Sequence, residues 1–133
     1  MNPDNPKDLR LQWYKSDGTP LAHGAAAANA TTYYAELQPN GCEQWFWIGV
    51  EWDATEATLF TLESAGKSSA DLTSYAAVGT GWTSQATALG TLTAASAASC
   101  GEWQVADVPQ GTRWRVKRVV TTGGVATARG KRY

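Results

Sequence analysis

Three carboxylates, Glu51, Asp53 and Glu56, crowd around one predicted turn, a grouping that suits a hard cation or an acid and base working as a pair. The plainer reading is a polar hairpin tip, and it is preferred here. The single histidine, His23, sits in a Gly/Ala loop, where a solvated side chain is expected rather than a general base. No Ser or Cys has a local setting that marks a nucleophile. Gly79-Thr80-Gly81-Trp82 lacks the following Lys and the strand-to-helix context of a phosphate-cradling loop. Cys42 and Cys100 are too few for a metal site, and two reduced thiols are expected in preference to a disulfide. These residues predict a chain that is not an enzyme and that carries no cofactor or metal.

Chemistry of contact is better represented. Seven Trp in 133 residues is unusual, and aromatics serve both cores and interfaces. In the segment 44–53, Phe46, Ile48, Val50 and Trp52 alternate with Trp45, Trp47, Gly49 and Glu51. The first set belongs in a core. The second face carries Trp45 and Trp47, more aromatic area than a solvated face requires, unless another layer covers them. Such a row can stack on sugar rings or form an interface rimmed by charge.

The charge is polarised. Residues 113–133 hold seven of the eleven Lys and Arg and none of the twelve acids, while the whole chain is near neutral at −1. Arg113, Arg115 and Lys117 alternate with Thr112, Trp114 and Val116, so a period of two places cations on one side of a strand. Either this basic face, continued by Arg129, Lys131 and Arg132, docks onto an acidic surface, or neighbouring strands balance its charges. A pI near 5.7 argues against nucleic acid as the partner.

The elements that would position these groups are strands. Leu9, Leu11 and Trp13 alternate with polar neighbours and predict the first. Ser16-Asp17-Gly18-Thr19-Pro20 is a turn, and residues 32–37 form a second strand stopped by Pro39-Asn40-Gly41. After a turn near Asp53-Ala54-Thr55, the residues Thr58, Phe60 and Leu62 predict a hairpin partner for the 44–53 strand. Residues 64–101 are rich in Ala, Ser, Thr and Gly, which predicts short strands and long loops. Trp103 and Val105 mark another strand, ending before Val108-Pro109-Gln110-Gly111. Residues 113–121 and 125–132 flank Gly123-Gly124 and predict a closing hairpin, with positive φ at the glycines. About eight strands and no convincing helix predict an antiparallel β-sandwich, jelly-roll-like, in a single domain over 8–133 behind an extended arm over 1–7. No apolar run reaches a membrane span, and the first six residues lack the pattern of a secretory signal, so synthesis and retention in the cytoplasm are expected unless the chain leaves within an assembly.

Taken together, Leu9-Arg10-Leu11-Gln12-Trp13-Tyr14, the small-residue middle, and Arg113-Trp114-Arg115-Val116-Lys117 leading to Gly123-Gly124 make a chain that resembles the all-β decoration, or cement, proteins of tailed-bacteriophage heads. The resemblance lies in overall pattern over most of the chain. It implies a virion structural protein on the capsid surface, bound at junctions between copies of the major capsid protein and often dimeric or trimeric. It implies no catalytic residue, while the charge balance and the lack of a long apolar run predict no nucleic-acid or membrane partner. Many such proteins have a longer N-terminal arm than residues 1–7 provide. On this reading Arg113, Arg115, Lys117, Arg129, Lys131 and Arg132, with Trp45 and Trp47, are the expected interface. The alternatives are a Trp-rich carbohydrate-binding sandwich module and a tail or head-completion protein.

Overall fold

A computed structural model describes residues 9–37, 45–65, 82–84, 92–106 and 113–132. Eleven strands lie within them: β1 (Leu9–Leu11), β2 (Trp13–Lys15), β3 (Pro20–Leu21), β4 (Thr32–Leu37), β5 (Trp45–Trp52), β6 (Ala57–Ala65), β7 (Trp82–Ser84), β8 (Leu92–Ala95), β9 (Ser99–Ala106), β10 (Arg113–Thr122) and β11 (Ala126–Arg132). The arm over residues 1–7, the Pro39 stop, Cys42, the Gly79 loop and most of the small-residue middle lie outside the described residues.

Two antiparallel sheets face each other. One runs β1-β11-β5-β9, and the other runs β3-β2-β4-β10-β6-β7, with β8 also on β6. The pairs β1:β11, β4:β10, β5:β9 and β6:β7 nest like one long hairpin rolled up on itself. This is the connectivity of a jelly roll. Strand periodicity explains the layers. Phe46, Ile48, Val50 and Trp52 of β5 all turn inward and are buried, facing Phe60 and Leu62 of β6 and Trp114, Val116 and Val120 of β10. Phe46 meets Trp114 edge-on at 5.0 Å, and Trp52 stacks on Phe60 at 5.2 Å. Each fully buried aromatic or aliphatic side chain of this set stabilises the fold by about 1.5–3 kcal/mol. Two buried indoles show their N–H groups bonded, Trp13 to the Ala126 carbonyl at 2.9 Å and Trp52 to that of Ala97 at 3.0 Å.

Three expectations are corrected. The first strand is two: the inward residues Leu11 and Trp13 are in phase, but the chain changes sheets at Gln12, so β1 pairs with β11 and β2 with β4. The β5–β6 hairpin does not form, because the turn at 53–56 carries the chain from one sheet to the other. Gly123 and Gly124 likewise join β10 and β11 across the two sheets and do not adopt positive φ. Their missing side chains serve close approach instead. A Cβ on residue 123 would run into the Ala27 carbonyl, and one on residue 124 into the Asp53 carboxylate and the Glu56 amide. The turn at 16–20 is as expected, with Gly18 at φ +86° and Asp17 accepting from the Thr19 amide at 2.9 Å. That bond holds the Asp17 carboxyl below its ordinary range.

Candidate interaction faces

The candidate interface residues divide between the two sheets of the sandwich, and the side chains of Arg113 and Arg132 lie outside the described residues. Arg113, Arg115 and Lys117 belong to β10, in the seven-stranded sheet; Trp45, Trp47, Arg129, Lys131 and Arg132 belong to β5 and β11, in the four-stranded one. They are not one continuous basic surface.

On β10, inward residues Trp114, Val116 and Val120 alternate with outward ones, and Arg115 points outward yet is only 1% exposed. Its Nε donates to Glu63 Oε1 of β6 at 2.8 Å, and its guanidinium lies 4.2 Å from the centroid of the Tyr34 ring of β4. Arg115 is therefore not a free cation for docking, which corrects its place in the predicted basic face. A neighbouring strand balances its charge. Burial pushes the Tyr34 phenol up from its ordinary value, against the opposing pull of Arg115. Lys117 stands half-buried on the same side, opposite Thr61 and Tyr34. Farther along, the surface opens. Val119 and Leu59 are cross-strand partners and are 39% and 42% exposed, the two exposed large apolar side chains among the described residues. Thr32 flanks Val119, and Thr93 flanks Leu59.

The other outer surface has a different composition. From β1 to β9, one row runs Arg10, Arg129, Gly49 and Glu102; the next runs Lys131, Trp47 and Gln104. Trp45 and Trp47 are half-buried, and the opposing sheet does not cover them. Trp47 leans along its own strand over Gly49, so that a Cβ at residue 49 would strike the indole ring, and its Nε1 donates to Glu102 Oε2. Arg129 and Glu51 approach to 3.8 Å on the far side of the gap, both largely exposed. Between them lies an open groove of about 440 Å³, lined by Trp47, Gly49, Glu51, Glu102, Thr127 and Arg129, with Cys100 at its margin.

A charged pair was missed by sequence reasoning. Arg118 and Glu56 are each 0% exposed and form an ion pair inside the sandwich. Arg118 Nη2 also donates to the Gly124 carbonyl at 3.0 Å, while Glu56 Oε1 accepts from the Thr58 hydroxyl at 2.8 Å and the Gly124 amide at 3.4 Å. The rings of Trp13 and Tyr33 lie 5.1 and 5.5 Å from the guanidinium. Burial pushes the Arg118 pKa down, and the Glu56 carboxylate opposes that shift. The signal was present in the chain: Arg118 is in phase with Trp114, Val116 and Val120, and Glu56 with Thr58, Phe60 and Leu62.

The carboxylates first singled out point to different places. Glu51 is on the outer surface, Glu56 is in the core, and Asp53 accepts from the Thr55 and Val125 amides at 3.1 Å each. Among the described residues no group of three or more His, Cys, Asp or Glu is arranged to hold a metal ion. Cys100 is an exposed free thiol. No protein-family model matches the chain, and no curated protein sequence matches it.

Proposed function

We propose that the chain is a non-enzymatic structural subunit of a virion, a decoration protein that binds the outside of a tailed-phage head at junctions between major capsid proteins and stabilises the shell. The observation that carries this reading is the exposed Leu59–Val119 pair on the seven-stranded sheet. An apolar centre within a rim of Thr32, Thr61, Thr93 and Lys117 has the composition of a protein-docking patch. The jelly roll supports the reading by analogy, since viral capsid domains use it often, although a fold alone does not name a function. Arg115 leaves the set of docking residues; Lys117 stays in it. Repetition over a lattice multiplies a modest patch into firm attachment.

The test is co-sedimentation with heads assembled from the major capsid protein of the same phage. Leu59→Glu with Val119→Glu is expected to keep its melting temperature and lose binding. Undiminished binding by the folded double variant overturns the docking face, and failure of the unaltered chain to bind heads overturns the decoration role. Light scattering on the free protein is expected to give a discrete dimer or trimer.

A further inference from the structure

We infer that the groove on the outer surface of the four-stranded sheet is a saccharide-binding site, with Trp47 as its stacking platform. It lies on the sheet opposite the proposed docking patch, so the two readings stand or fall separately.

Gly49 and Glu102 fix the platform. Without a side chain at residue 49, the Trp47 indole settles onto the sheet, and its N–H is tied to Glu102. A ring seated in this way on backbone, half-buried, offers a flat apolar surface at little further entropic cost. The C–H groups on one face of a pyranose present a matching flat apolar surface, while the hydroxyls project from its rim. Around the platform stand groups that hydroxyls need. Arg129 donates, the Glu51 and Glu102 carboxylates accept, and Thr127 does both. Vicinal hydroxyls can engage a guanidinium or a carboxylate at two points. The mixture of signs decides the ligand class. A phosphate or polyanion would meet two carboxylates, and a cation would meet Arg129 with Arg10 beside it, opposite in register. A neutral sugar takes both donors and acceptors. The groove is open and its volume of about 440 Å³ lies within the range of small-ligand sites, large enough for one or two sugar rings.

The experiment is an array of defined neutral oligosaccharides of gluco, galacto and N-acetylglucosamine configuration, followed by calorimetric titration of those that bind. Binding by at least one of them, weakened about tenfold or more by Trp47→Ala, is expected. Arg129→Ala changes only an exposed side chain and is expected to weaken the same ligand, which keeps the test open should the Trp47 variant misfold. In a Cys42→Ser background, alkylation of Cys100 at the groove margin with a bulky maleimide is expected to block the ligand. No binding at millimolar concentration across the array overturns the inference, as does binding that persists in both folded variants. A groove that instead captures a second copy of the chain, seen as sugar-insensitive association lost with Trp47→Ala, overturns it as well.

Discussion

The Arg118–Glu56 pair sets the chemistry of this molecule at the scale of single residues. Two ions inside a jelly-roll core are costly to desolvate, and their mutual attraction and the bonds from Thr58 and Gly124 offset that cost. Removing one partner strands the other. Glu56→Gln or Arg118→Met is expected to destabilise the fold by about 3–5 kcal/mol in urea denaturation, and the combined Glu56→Leu, Arg118→Met variant by less than the sum. Arg115→Glu is expected to be severely destabilising too, because it would set a carboxylate against Glu63 in a buried site. Tyr34 gives a pH dependence. Its folded-state pKa is raised, so the phenol keeps its proton in the folded chain at a pH where the unfolded chain has lost it. The stability it contributes is whole below about pH 10 and is lost as pH rises toward the folded value. Alkaline denaturation followed by circular dichroism is expected to show this slope, and Tyr34→Phe to flatten it.

Among the elements, strand β5 was fully legible, because Phe46, Ile48, Val50 and Trp52 hold one phase for the whole strand. What the residues could not express was the destination of a turn. A segment such as Asp53-Ala54-Thr55 or Gly123-Gly124 suits a hairpin and a crossing between sheets equally well, since both need small or capping residues. Only the packing of the two loops on each other decides: the Asp53 amide donates to the Val125 carbonyl at 3.0 Å, and Ala27 donates to that of Gly124 at 2.9 Å. The Trp47 face was legible as an aromatic surplus, but the seat made by Gly49 and the bond to Glu102 arises from neighbouring strands. For Arg115 the sequence left docking and balance by a neighbouring strand both open, and Glu63 decides for balance; Arg118 was passed over because a charge in a strand is ordinarily assigned to water. At this scale, Gly124→Ala is expected to cost about 1–3 kcal/mol, read as a fall in melting temperature, because its Cβ has to displace Asp53 or the Glu56 backbone.

Seen whole, the molecule separates its outer surfaces: an apolar patch on one sheet, and an aromatic, mixed-charge groove on the other. The rolled-up hairpin also places β10 between β4 and β6, and β11 between β1 and β5, so the basic C-terminal segment supplies an interior strand to both sheets. This carries a consequence for the life of the chain on the ribosome. Synthesis proceeds at about 5–20 residues per second, so β1 waits many seconds for the partner that completes its edge, and neither sheet can assemble in its final order until residues 113–132 have emerged. Every nascent chain thus passes through a stage with long, apolar strand edges bared to the crowd of its neighbours. A stop codon twenty residues early removes nearly all of β10 and the whole of β11, and the shortened chain is expected to aggregate, read as loss of soluble product on expression.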